Sequence, residues 1–533
     1  MTPFLRRKTL GCLMASGLAI GGFLPALAQT QPTAFVQSLA AAAASSESVA
    51  GWYRAAEYDT LWTGPEDAAR RAALFEVLET APDHGLPAAR YDVDGLRRAF
   101  AEARTEGDRG RLELRMTEVY LTWAHDMTSG MLTPKALDPT IVRDIAVEDD
   151  AVLLRRIAGD DPRAVLHDLM PQGQVYLQLM RAHFGLQQVI ADGGWGDTVP
   201  AGSLKPGDEG AAVVALRDRL VAMGYLGRSV TATYDKTIQA AVATFQREHG
   251  LPADGVAGSA TMDEINIGPE DRLKSVIVAM ERERWLDIDR SVRHVWVNQP
   301  DFMARIIDEG RTVFSTRVVI GKNVPDQRSP EFSDQMEHMV INPSWGVPRS
   351  ITVKEYLPLL QRNPNAVGHL QVVDGRGRVV SRGAVNFAAY NARNFPFALR
   401  QPPSDGNALG KVKFMFPNEY NIYLHDTPSK SLFAHDVRAY SHGCIRVADP
   451  FDLAHVLLSL QSDNAEEEFD AALKTGAETL VKLAQPLPVH LVYYTAYPEA
   501  NGRIGYRRDV YGRDAKLWQA LSEAGVALTP DQG

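Results

Sequence analysis

The sequence predicts a multidomain α+β protein: a helical first region, a small three-helix bundle, and a β-rich region that carries a capping insertion. Three observations support this reading. Apolar residues recur at three- and four-residue spacing through about 33–200 and again through 203–266, the period of amphipathic helices. From about 292 onward the pattern turns to alternation and short β-branched runs, which mark strands. A stretch rich in glycine, proline and aromatic residues between Arg349 and Lys411 then interrupts those strands. At 533 residues several domains are expected.

Residues 1–28 have the layout of a secretory leader: Arg6, Arg7 and Lys8, an apolar run from Leu10 to Leu24, then Ala26-Leu27-Ala28 before Gln29. Cleavage is expected after Ala28, and an uncleaved leader would be a membrane anchor. Arg6 and Arg7 also suggest the twin-arginine route, although Leu5, Lys8 and Thr9 fit it poorly. Cys12 stands too early in the apolar run for lipid attachment. The full chain has a formal net charge of -10, and losing the basic leader makes the mature chain more acidic still. Such a chain lacks the basic face of a nucleic-acid binder, so no nucleic acid is expected as a partner.

In the first region, Ala68 to Leu78, Val93 to Ala103 and Leu112 to Trp123 read as helices, broken by Pro82-Asp83-His84-Gly85 and by Gly107-Asp108-Arg109-Gly110. Trp52, Tyr53, Trp62 and Trp123 read as core rather than as a glycan-stacking surface. The second unit lies between Gly202-Ser203-Leu204-Lys205-Pro206-Gly207 and Gly268-Pro269. Its stripes are Val213, Leu216, Leu220 and Met223, then Ile238, Val242 and Phe245, with Asp235 and Ser259 as N-caps.

A helix near Asp271 to Leu286 precedes the strands. Val292 to Asn298, Ala304 to Ile307, Val313 to Ile320, His338 to Ile341, Asn421 to His425 and Val489 to Thr495 are the predicted strands. The insertion, 350–411, contains a helix-like Val353 to Leu360 and the aromatics Phe387, Tyr390, Phe395 and Phe397. These either cover a site or pack the insertion's own core.

Chemistry concentrates at Ser441-His442-Gly443-Cys444-Ile445-Arg446, which holds the one cysteine a processed chain would keep. A thiol is only slightly ionised at neutrality, so attack needs a neighbouring base or cation. His425, His435, His442 and His490 are the candidates. His425 follows Tyr423 by two on a predicted strand, so the two share a face and supply an imidazole and a phenol to Cys444.

The same residues carry a family resemblance. Ser-His-Gly-Cys with Ile445 and Arg446, and His425 19 positions before the cysteine, resembles the L,D-transpeptidases of bacterial cell walls. Val297-Asn298, Val318-Val319-Ile320-Gly321-Lys322, Asn342-Pro343-Ser344-Trp345, Tyr423-Leu424-His425-Asp426-Thr427 and Asp509-Val510-Tyr511-Gly512-Arg513-Asp514 are similar to the large Gram-negative, YcbB-like branch. The bundle resembles a peptidoglycan-binding module at Gly207-Asp208-Glu209-Gly210, Gly224-Tyr225-Leu226, Thr244-Phe245-Gln246 and Asp254-Gly255-Val256-Ala257-Gly258.

The resemblance implies a helical scaffold domain at 33–200, a peptidoglycan-binding module at 203–266, a catalytic domain at 271–500 with its lid, and a C-terminal segment at 501–533. It implies Cys444 as nucleophile, His425 as base, and the amides of Gly443 and Cys444 as oxyanion hole with help from Tyr423. Ser441 and His442 would orient the loop, and Arg446 would support it or meet a substrate carboxylate.

The implied reaction is periplasmic 3→3 cross-linking of peptidoglycan through a Cys444 thioester, with release of D-Ala. Donor and acceptor are tetrapeptide stems, glycan strands bind the module, other wall-synthesis proteins are admissible partners, and no metal or organic cofactor is needed. A carboxypeptidase or endopeptidase would use the same acyl-enzyme. A noncatalytic wall-binding protein, with a zinc variant built from His425, His435, His442 and Cys444, is the other alternative.

Overall fold

The computed structural model describes residues 32–528 apart from 160 and 287; the expected leader, with Cys12 and Ala28, lies outside the described residues. The first core is helical. Ala34–Ala43, Glu47–Ala55, Ala68–Glu79, Val93–Glu102, Glu106–Ser129, Asp150–Gly159 and Pro162–Leu169 bury Tyr53, Trp62 and Trp123 completely, so those aromatics are packing residues. Gly107 to Gly110 does not break the chain as expected. Thr105 and Asp108 cap each other's backbone and start the Glu106–Ser129 helix there. Gly110 serves close packing, since a Cβ on it would lie 2.5 Å from the Phe35 carbonyl oxygen.

The region 33–200 is not one body of packing. Gln174–Ala191 leaves the first core and packs on Pro269–Arg284. Together with Leu517, Leu521 and Val526 from the far end of the chain they bury Tyr176, Leu179, Leu273, Val276 and Met280. Residues 501–528, expected as a terminal segment, are thus part of the fold's interior.

Between these lies the three-helix unit, Ala211–Ala222, Lys236–Glu248 and Ser259–Ile265, around Val213, Leu216, Leu220, Ile238, Val242 and Phe245. Asp235 caps its helix by accepting from the amides of Thr237 and Ile238, but Ser259 is the first helical residue and Gly258 takes the cap position. Arg503 reaches from the C-terminal region to Glu248 at 2.9 Å, and Tyr506 stacks on His249. The unit is therefore docked, not tethered.

The C-terminal half is built on a nine-stranded sheet among the described residues. Across the sheet its strands run Ala439–Ser441, Arg311–Gly321, Ile445–Val447, Leu424–His425, Val412–Met415, Phe332–Ile341, Thr479–Val492, His294–Asn298 and Met303–Asp308. The last pairs again with Arg311–Gly321, so the sheet closes on itself.

Alternation decides which face each side chain takes. Val412, Phe414, Leu424, Ile445 and Val447 are fully buried in the interior of the sheet. Their strand neighbours Lys413, His425 and Arg446 consequently stand on the opposite face, and Tyr423 and Cys444, each just ahead of its strand, lie close to them. A one-residue slip would exchange the two sets, so burial of the apolar set fixes the polar one.

The insertion forms its own small body over this face. Trp345–Gly346, Ala398–Gln401, Gln371–Val373 and Val379–Val380 make a four-stranded sheet, covered by helical segments from Arg349 to Arg362. Phe387 and Phe395 are buried there with Leu357, Leu360 and Leu399, and Tyr390 and Phe397 pack against them edge-to-face. Of the two roles expected for these aromatics, packing the insertion is the one they fill.

Candidate active site

Cys444 sits in the turn between Ala439–Ser441 and Ile445–Val447. Gly443, just before it, has φ of 114°, a conformation that a side chain would strain, and a Cβ there would stand 3.1 Å from Ile422 Cδ1. The Ser441 hydroxyl fastens the turn by donating to the Cys444 carbonyl at 2.6 Å and accepting from the Gly443 amide at 3.1 Å. Behind it, the Ser329 hydroxyl donates to the Gly443 carbonyl at 2.6 Å. Tyr511 donates to the Gly321 carbonyl at 2.7 Å, and Arg513 holds the Ser329 carbonyl at 2.8 Å.

Of the two amides expected to form an oxyanion hole, that of Gly443 bonds to the Ser441 hydroxyl. The Cys444 amide, by contrast, has no acceptor among the described residues.

The sulfur has three neighbours. Its thiol donates to the Asn421 carbonyl at 3.5 Å, and the backbone amide and hydroxyl of Tyr423 lie beside it, where they favour its ionised form. Trp345, at the root of the insertion, lies beside the Tyr423 hydroxyl on its other side. Burial pushes the thiol up to about 11, with the Tyr423 bonds and Arg446 pulling the other way. The Tyr423 hydroxyl, expected to help an oxyanion hole, lies beside the sulfur and favours its ionised form.

His425 is buried close by, its ring 5.7 Å from that of Tyr423. Its Nδ1 donates to the Asp426 carbonyl, which fixes the tautomer with Nε2 as the unprotonated nitrogen. Burial first, then Arg446, lowers its pKa to about 3. Burial thus favours the thiol at Cys444 and the neutral imidazole at His425.

His442 turns away from the sulfur, its Nε2 2.7 Å from Glu355 Oε1 on the π-helical turn Thr352–Tyr356 of the insertion. Lys354 on that turn pairs with Asp326 at 2.5 Å, so an ion pair and the His442–Glu355 hydrogen bond tie the insertion to the loops around Cys444. His435 is exposed against Tyr440, and His490 is buried elsewhere, bonded to Ser333 at 2.8 Å. The four residues of the zinc variant do not converge. Arg446 stands beside His425 in strand register.

Sequence reasoning missed Glu355, Lys413, Asn421 and Ser329 as parts of the site. Asn421, with φ of 55°, carried a faint signal as an asparagine in a turn.

Fold and site together set a thiol, an imidazole and a phenol close to one another on a closed sheet beneath a capping insertion. Residues 292–476 match the family model of the L,D-transpeptidase catalytic domain, 47–182 that of a scaffold domain, and 209–265 that of a "Putative peptidoglycan binding domain". A Haemophilus influenzae protein named "Putative L,D-transpeptidase" is 31% identical over 242 residues, 45% of this chain and 48% of that protein. The match thus spans about half the length of that relative. A solved L,D-transpeptidase from Xylanimonas cellulosilytica aligns at 13% identity over 56% of this chain and 100% of its own, with a TM-score of 0.18, at which no residue correspondence follows. This chain carries an L,D-transpeptidase catalytic domain together with a peptidoglycan-binding domain.

Proposed function

We propose that the protein is an exported, periplasmic peptidoglycan L,D-transpeptidase that forms 3→3 cross-links through a thioester on Cys444. The observation that carries this reading is the placement of Cys444, Tyr423 and His425 close to one another on the sheet inside the matched catalytic domain. As the thiol proton passes to His425, the sulfur attacks the carbonyl between diaminopimelate and the terminal D-Ala of a tetrapeptide stem. The C–N bond breaks, D-Ala leaves with the proton as its amine, and a thioester remains. The side-chain amine of a second stem then attacks the thioester and restores the thiol. Tyr423 lowers the cost of the thiolate, and the Cys444 amide is the donor open to the developing oxyanion.

The docked three-helix unit would hold glycan strands near this face and raise the local concentration of stems. The test is mass spectrometry of products from purified disaccharide-tetrapeptide, with and without an amine acceptor. Cross-linked dimer and D-Ala are expected, with none from Cys444→Ala. Tripeptide alone, even with acceptor present, would make the protein a carboxypeptidase. A carbapenem should add covalently at Cys444, because its strained amide is an acyl donor to the same sulfur.

A further inference from the structure

Two cations flank His425, and neither has a partner. Register sets Lys413 opposite His425 and His425 opposite Arg446, so one row across three strands reads Lys413, His425, Arg446. Directly opposed residues share a face and stand about 5 Å apart. Cys444 comes two residues before Arg446, just ahead of that strand, and near enough for the two groups to act on each other's charge. The Lys413 ammonium is 5.9 Å from the centre of the Tyr423 ring, whose hydroxyl meets the sulfur.

Arg446 Nε is buried without a hydrogen-bond partner, and among the described residues no carboxylate pairs with either cation. Glu478, the acid that Lys413 senses, is occupied by the amide and hydroxyl of Ser344. Nearby lysines behave differently: Lys411 pairs with Asp405 at 2.5 Å and Lys430 with Asp426 at 2.8 Å. A half-buried charge left without a counter-ion is costly, and its presence beside a nucleophile marks a place for a ligand's anion.

We propose that Lys413 and Arg446 form a clamp for the C-terminal carboxylate of the donor stem, which sets the preceding carbonyl over Cys444. The inference deepens the transpeptidase reading and rests on it. In such a donor only the amide nitrogen and one Cα separate the carbonyl under attack from the terminal carboxylate, a span of roughly 4 Å. Two residues of strand separate Cys444 from Arg446, roughly 7 Å, and the long arginine side chain covers the difference. Its guanidinium meets a carboxylate with two parallel bonds, and Lys413 adds a point charge from the other side. The clamp measures the donor, accepting stems that end one residue beyond the bond to be broken.

The test compares disaccharide-tetrapeptide as the free C-terminal acid and as the C-terminal amide, following release of the terminal residue and acylation of Cys444. The full chain should favour the acid by about 10²-fold or more in kcat/KM, the scale of a charged group left unmet. Arg446→Gln should erase most of that preference by slowing the acid far more than the amide, which also feels the loss of the charge beside Cys444 and His425, and Arg446→Lys should restore part of it. Lys413→Gln should raise KM for the acid more than for the amide. Equal rates with acid and amide in the native chain overturn the clamp without any variant, as does an Arg446→Gln that slows both donors alike. Acylation by neither donor overturns the transpeptidase reading, and the clamp with it.

Discussion

Glu355 and His442 meet across the seam between the insertion and the nucleophile's turn, Oε1 to Nε2 at 2.7 Å. Both side chains are partly exposed, 44% and 31%, so the pair adds only about 0.5 kcal/mol to stability. Its weight falls on where the insertion rests. Glu355→Gln should leave the melting temperature within about 2 °C of the parent. Acylation of Cys444 should persist while the ratio of cross-linked dimer to hydrolysed tripeptide falls, because a loosened cover admits water. An unchanged ratio would take the insertion out of acceptor handling.

His425→Ala should slow acylation by roughly 10² or more, the scale of a lost general base. His435→Ala should be nearly silent, since that ring is exposed and packs on Tyr440. Single-turnover mass spectrometry of the acyl-enzyme separates the two. Reversed behaviour would move the base elsewhere.

Gly443→Ala forces a side chain into a left-handed backbone and against Ile422. A loss of about 1–3 kcal/mol of stability is expected from the strain. Activity should fall further than stability, because relief of the strain displaces Cys444. Urea melts alongside carbapenem labelling would show it, and full labelling in a destabilised variant would argue against that displacement.

Acid should unfold the protein early. Burial, with smaller contributions from neighbouring cations and imidazoles, holds His84, His425 and His490 neutral with pKa near 3, and burial alone holds His183 near 4. An unfolded histidine titrates near 6.5, so below that pH the unfolded chain binds protons that the folded chain does not. Stability therefore drops as pH falls from about 6.5 toward 4, by about 2 kcal/mol per histidine at pH 5. Asp514, pushed up to about 6 by burial, works in the opposite direction and offsets part of it. Denaturant midpoints at pH 7 and pH 5 should show the fall, and His490→Gln should reduce it. A flat profile would count against these buried neutral imidazoles.

Most of the site's chemistry was legible because it is local. Ser441 to Arg446 is one continuous run, and the two-residue spacing of Tyr423 and His425 is a strand property that alternation reveals. Glu355, Lys413 and Ser329 come from segments whose placement depends on sheet order, which no local pattern encodes. Gly107 and Gly110 misled because glycine marks both turns and tight helix contacts, and only the Phe35 backbone distinguishes the two. Residues 501–528 looked like an appendage because their apolar residues belong to a core shared with Gln174–Ala191 and Pro269–Arg284, far away in the chain.

The brace behind Cys444 also orders events in time. Ser329 grips the nucleophile's turn, and Tyr511 and Arg513 hold the backbone around Ser329 from a part of the chain made after everything else in the site. A polypeptide that stops short of Asp509 carries the cysteine without the wedge that braces its turn. During refolding, carbapenem labelling of Cys444 should accordingly lag until the amides of the Arg513–Glu523 helix are protected from exchange.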